Sequence, residues 1–348
     1  MKQISLSILD QSLIPKGGQA VQALQNTIEL AKRAEEWGYH RFWVSEHHNL
    51  PSVAGAAPEV FIARLANETT RLRIGSGGIM LPNHSALKMA ENFRLLEALY
   101  PGRIDFGIGR APGGDRITAS FLNPSNDFSE QSYLRQLDHL QIFFQDEAGT
   151  EYGKMIAVPQ IQTVPAQWIL SSSGGSSKIA ARYGMGLAVA RFISGNVSGD
   201  VVKTYQDRFA PSALFPTPRV ILSLVVLCAD TEEKAFQLQK SVDYQFIQIS
   251  KGNFEGISSY EAIADYRFSP QEIEALRVHQ GRVVVGTPPQ VYKKLSALVE
   301  EFQADEIMAV AWAAEFKDRV RSFELLAEIF HGNKTPAFPK NEAETASC

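Results

Sequence analysis

Eight short apolar runs, each followed by a stretch of helical periodicity, limit how this chain can fold more than any other feature. The runs occupy residues 4–9, 41–44, 72–81, 104–108, 168–170, 186–190, 220–228 and 306–310. They are rich in Ile, Val, Leu and Phe with little polar alternation, as expected of strands covered on both faces. The helical stretches lie at 20–37, 58–69, 84–100, 130–145, 178–183, 197–209, 231–248 and 317–330, with a further one at 290–302. Gly38 and Gly184 close two of them, and Pro58 opens another. Regular βα alternation demands right-handed crossovers and a parallel sheet. Eight such units over 348 residues predict a closed (β/α)8 TIM barrel, ahead of a doubly wound open sheet.

Two stretches break the rhythm. Residues 112–129 form a long polar connection after the fourth run. Residues 250–280 form a larger insertion, Gly/Ser-rich at first and ending in a short helical pattern, PQEIEALRVH. Long connections at the C-terminal end of a barrel often serve as lids. The chain therefore reads as one barrel domain over 1–332, with a lid at about 250–281 and a disordered polar tail over 333–348.

Composition narrows the function. Net charge is −4 with no Lys/Arg run, which argues against nucleic acid or anionic membrane as partner. Two cysteines, Cys228 and the terminal Cys348, provide neither a disulfide framework nor a zinc ligand set. The start, MKQISLSILDQS, lacks the charged region and apolar core of a signal peptide, and no apolar run approaches the ~20 residues that span a bilayer. A soluble, cytoplasmic protein is expected.

In a (β/α)8 barrel the chemistry sits at the C-terminal ends of the strands. After the fifth run comes SSSGGSS, Ser171 to Ser177, ahead of a helix. Hydroxyls, free N–H groups and close backbone approach at glycine suit a phosphate; a flexible loop with a Ser N-cap is the plain alternative. After the fourth run, Arg110 in GIGRAPGG offers a guanidinium fork to phosphate oxygens, unless it forms a surface ion pair. The two features lie on neighbouring strands, so one phosphate could touch both. Gly77 and Gly78, inside the third run, suit a bulge, a flat ligand lying on the backbone, or close packing within the barrel; a cis non-prolyl peptide would also be easier to host there. A flat molecule with one phosphate, such as FMN, meets all three positions. A nicotinamide dinucleotide fits less well, because no GxGxxG follows the first strand. Trp43, Phe106, Phe192 and Trp312 are candidate aromatic walls, with core packing as the alternative.

The second run ends in Ser45-Glu46-His47-His48. Adjacent histidines in an extended segment point to opposite faces, which argues against a shared metal ion, and no HxH or HExxH occurs elsewhere. Two readings remain. These are hydrogen-bonded rim residues, or one inward imidazole handles protons near neutral pH while Glu46 orients a neighbour or a buried Arg.

GSGGIMLPNH, PGRIDFGIGRAPG, VSEHH, the SSSGGSS segment and GTPPQV, in this order and each at its own strand end or helix start, resemble the bacterial luciferase-like monooxygenases over residues 4–330. The resemblance implies FMN, with its phosphate held by Ser173, Ser176 and Arg110 and with Ser172 and Gly174 nearby. Some luciferases carry an acidic residue at the position of Ser172. The family's cis peptide falls at Gly77–Gly78 under the flavin ring, its catalytic histidine on His47, and its reactive cysteine on Gly109, which is no evidence for light emission. It further implies reduced FMN supplied by a separate flavin reductase, molecular oxygen, a flavin C4a-hydroperoxide, and oxygenation of a small organic molecule such as an aldehyde or ketone. A homodimer is expected by analogy. The alternatives on the same barrel are F420-dependent hydride transfer and a non-catalytic FMN-binding protein.

Overall fold

A computed structural model describes residues 4–145, 149–150 and 153–332; the expected disordered tail lies outside them. Nine strands build the main sheet: β1 Ser5–Asp10, β2 Arg41–Val44, β3 Arg73–Met80, β4 Ile104–Gly109, β5 Ala166–Ser171, β6 Gly186–Ala190, β7 Val220–Cys228, β8 Val283–Gly286 and β9 Glu306–Val310. All pairings among them are parallel, and β1–β7 and β9 close into an eight-stranded barrel through β7–β6 and β9–β1. This is the predicted TIM barrel. Every residue of β4, β6, β7 and β9 is buried, because barrel side chains fill one face of each strand and the helices cover the other.

β8 is the strand that periodicity did not reveal. β7 pairs with β6 over Val220–Ser223 and then runs on, and the four residues VVVG of β8 take over its freed edge at Val225–Cys228. So short a run, placed between an insertion and a Pro pair, carries no period of its own. The polar connection 112–129 also holds a helix, Arg116–Leu122, capped by the Asp115 carboxylate, which accepts from Thr118 N–H.

Three glycines of β3 are explained by their neighbours. A Cβ on Gly75 would collide with Asp105 and Trp43, one on Gly77 with Leu9, and one on Gly78 with the Gly107 carbonyl. The peptide Gly77–Gly78 is cis, where the resemblance places it. Close packing within the barrel is therefore enough to require glycine here.

The N-terminal end of the barrel is plugged by charge. Arg41 donates to Glu306 (2.8 Å) and to Asp105 (2.7 Å), and lies 4.7 Å over the Trp168 ring. Asp105 also accepts from Trp43 Nε1 (3.0 Å) and Arg73 (2.6 Å). Removing Arg41 would leave Glu306 buried without a cation and take one of two from Asp105.

The insertion is folded. It contains helices Tyr260–Ile263 and Pro270–Arg277, the second opened by a capping box between Ser269 and Glu272. It docks on the loop after β1, where Lys16 N–H donates to the Ile257 carbonyl (3.0 Å) and the Lys16 ammonium meets Glu255. Among the described residues no helix is long and apolar enough to cross a membrane.

Candidate active site

The segment after β2 divides its labour. Glu46 is fully buried and accepts hydrogen bonds from Met80 N–H (2.8 Å), Asn83 Nδ2 (3.1 Å), His48 Nε2 (2.8 Å) and His84 Nε2 (2.9 Å). It thus ties the end of β2 to the end of β3. Burial pushes its carboxyl up, but the bonds from His48 and His84, the His84 charge and the Met80 amide outweigh this and hold it at about 2. His84 moves the other way: burial lowers it, the Glu46 hydrogen bond and charge raise it more, and the net shift is upward. The orienting role suggested for Glu46 thus falls on two histidines, and none of its hydrogen bonds comes from an Arg.

His47 faces away from this cluster. Its backbone N–H donates to the Gly55 carbonyl and its Nδ1 lies 3.1 Å from Ser45 Oγ, so among the described residues Nε2 is the ring nitrogen left for other work. Burial depresses the imidazole to about 4, so it is neutral at pH 7. It lines a cavity of about 170 Å3 together with Gln11, Gln245 and Trp312, closed on one side by Phe254 and Ile257 of the insertion. Trp312 Nε1 donates to Gln11 Oε1 (2.8 Å). A larger cavity of about 260 Å3 lies between helix Glu232–Ser250, the insertion and the start of helix Phe316–His331. Its Lys234–Asp318 ion pair and polar walls offer no constellation for oxygen or proton chemistry.

The expected phosphate residues lie at the ends of β4 and β5. Arg110 is exposed and pairs with Glu130 (2.8 Å), the surface ion pair that was its alternative. Ser173 is exposed, and Ser172 and Ser176 are half-buried. The turn is braced by other groups: Ser171 Oγ accepts from Gly174 N–H, and Ser177 Oγ donates to the Gly174 carbonyl. Ser176 makes no side-chain cap to its helix, Gly174 takes φ +86°, and the space a Cβ on Gly175 would enter is open. The buried phenol of Tyr133 has no hydrogen-bond partner and sits near enough to Arg110 to feel its charge. One guanidinium, uncommitted hydroxyls and an orphaned phenol, with no carboxylate in the loop, fit a phosphate, provided it replaces Glu130 on Arg110.

Some site residues escaped sequence reading. Gln245 occupies the buried face of helix Glu232–Ser250 between Leu238, Val242 and Phe246; a polar residue at an apolar-face position was the available signal. His84 and Asn83 stood in a quoted motif without an assigned role. Of the aromatic candidates, Trp312 lines the cavity, Trp43 and Phe106 pack in the core, and Phe192 is buried. Among the described residues no group of three or more His, Cys, Asp or Glu is arranged to hold a metal ion.

Residues 4–306 match the family model of luciferase-like monooxygenases. The chain is 45% identical to YwcH of Bacillus subtilis (strain 168), over 94% of this chain and 99% of that protein. It is 34% identical to the N-acetyl-S-alkylcysteine monooxygenase of the same organism, over 93% of this chain and 98% of the relative. The crystal structure of apo-MsnO8 matches with a TM-score of 0.88 and 36% identity, over 94% of this chain and 98% of the other. Two more distant barrels share the fold alone. One is the oxygenating constituent of 3,6-diketocamphane monooxygenase from Pseudomonas putida in complex with FMN, at 18% identity and TM-score 0.70, over 97% of this chain and 100% of that one. The other is an F420-dependent secondary alcohol dehydrogenase, at 12% and 0.64, over 93% and 98%. With the match running through almost the whole barrel, the chain belongs to the luciferase-like monooxygenase family.

Proposed function

We propose that this barrel is a flavin-dependent monooxygenase that takes reduced FMN from a separate flavin reductase and uses molecular oxygen to oxygenate a small organic molecule. The observation that carries this reading is the half-buried His47, its imidazole held toward the neutral form, in a small cavity bordered on one side by the insertion. Reduced flavin, when bound, supplies the two electrons that activate oxygen. The chain supplies the rest. Arg110, Ser172, Ser173, Gly174 and Ser176 would hold the phosphate, and the Gly77–Gly78 peptide would flank the ring. Phe254 and Ile257 border the cavity on one side, and the insertion closing further over it would keep water from the reacting atoms. A neutral imidazole can accept a proton at Nε2 and return it, with Nδ1 steadied by Ser45. Insertion 250–281 acts as the lid, opening for exchange. A homodimer in the cytoplasm completes the reading.

The test supplies FMN, a flavin reductase, NADH and 18O2 with a panel of aldehydes, ketones and thioethers. One 18O atom per product molecule is expected. Hydride transfer from reduced F420 without oxygen uptake would replace this reading by the deazaflavin one; tight FMN binding without any turnover would make it a binding protein. Arg110→Ala should weaken FMN on the order of tenfold or more while leaving riboflavin unchanged. Equal loss for both would remove the phosphate contact.

A further inference from the structure

The cavity beside His47 says more about its occupant than that it is organic. None of its lining residues is Asp, Glu, Lys or Arg. Its polar groups are the imidazole of His47, the hydroxyl of Ser52 and the amides of Gln11 and Gln245, set among apolar walls that include Leu13 and Ile249. At about 170 Å3 it is close to the ~150 Å3 at which a dry cavity admits a benzene ring, and far below the volume a long acyl chain needs.

Two amides line it in different conditions. Gln11 gives its oxygen to Trp312 Nε1, which fixes its orientation and leaves an N–H2 end as donor. Gln245 is 8% exposed, and its Oε1 has no hydrogen-bond partner. Its place is held from behind: the adjacent Phe246 packs on Trp312 (ring centroids 5.2 Å apart) and stacks on His279 of the insertion (4.4 Å). That oxygen is enclosed by protein, and leaving it so is costly unless the side chain turns and brings it to the cavity, where an occupant can meet it. A neutral amide on the occupant offers both a donor and an acceptor, so it satisfies Gln245 whichever way that side chain is turned. A carboxylate would find no cation to answer its charge in these walls, and its burial would be strongly unfavourable.

We propose that the substrate is a compact, uncharged molecule of about one substituted ring that carries a neutral hydrogen-bonding group of the carboxamide type, and that Gln245 is the residue that selects it. This rests on the reading of the His47 cavity as the substrate site. It sets this chain apart from enzymes acting on carboxylate-bearing molecules or long-chain aldehydes.

Benzamide and benzoate have the same shape and differ in charge, so they test the selection directly. Calorimetric titration at pH 8 of the full chain, with and without saturating FMN, should show benzamide binding on the order of a hundredfold more tightly than benzoate. Gln245→Leu should cut benzamide affinity about tenfold and leave FMN affinity unchanged. Gln245→Glu should shift preference from benzamide to the benzamidinium cation, a gain that no folding defect could mimic. Equal affinities for benzamide and benzoate, no binding of benzamide to the wild type at millimolar concentration, or no change of preference in Gln245→Glu would each overturn the inference. FMN binding is read in the same samples. Failure of FMN to bind with the amide preference intact sinks the flavin reading alone.

Discussion

The barrel buries carboxylates at both ends, and two of them, Asp105 and Glu46, are held at about 2 by different means. Asp105, at the N-terminal end, faces two guanidinium groups and an indole N–H. Glu46, at the C-terminal end, faces two imidazoles, a carboxamide and a backbone amide. Guanidinium stays charged throughout the accessible pH range, so the first end is an unresponsive plug. Imidazole is the side chain whose ordinary titration lies nearest neutrality, and Glu46 raises that of His84, so the second end is the one whose charge responds to pH. Barrel stability and barrel chemistry are thus placed at opposite ends of the same strands.

The plug gives the largest expected effect. Arg41→Ala leaves Asp105 and Glu306 buried without their common cation and should cost about 3–5 kcal/mol, measured by urea unfolding. A loss below about 1 kcal/mol would mean that water reaches this end, and the contrast would fail. His47→Ala should lower turnover on the order of a hundredfold or more with FMN affinity intact, because only the proton-handling group is removed. An unchanged oxygenation rate would reduce His47 to a wall of the cavity.

Glu46→Gln should cost about 1–3 kcal/mol and bring the His84 pKa down, read by NMR titration of the imidazole. The sign of the pH dependence follows. His84 is raised above its ordinary 6.5, so its contribution is complete below that value and is lost as pH rises through the folded pKa. His47 is depressed to about 4, so its contribution is complete above 6.5 and is lost as pH falls toward 4. His40, beside Arg41 and Arg73, is depressed to about 3 by burial and by those charges, and adds to the same acid limb. Glu46→Gln should therefore flatten the alkaline limb, and His47→Ala should reduce the acid limb without abolishing it. The smallest effect belongs to Lys16→Ala. Its ion pair with Glu255 is solvated on both sides, so the unfolding midpoint should not move measurably.

Much of the fold is legible in the sequence. Eight apolar runs and their helices foretold the barrel. The glycines of β3 stand out in the sequence, although the neighbours that require them, Asp105, Leu9 and Gly107, come from other strands. The partners of Glu46 were not legible, because Met80, Asn83 and His84 reach it only once β2 and β3 pair. Nor was the ion pair of Arg110 with Glu130, since a lone Arg at a strand end looks the same whether it awaits a ligand or already holds a carboxylate.

Local sterics and periodicity act within a few residues, so the sequence by itself determined which segments become strands and helices and hence the closed parallel barrel. Closure decided the remainder. It alone brought Gln11, His47, Gln245 and Trp312 from four separate segments to one cavity, and it alone turned His47 toward that cavity and His48 toward Glu46. Such convergence depends on strand register and packing between distant parts of the chain, which no short stretch of residues encodes.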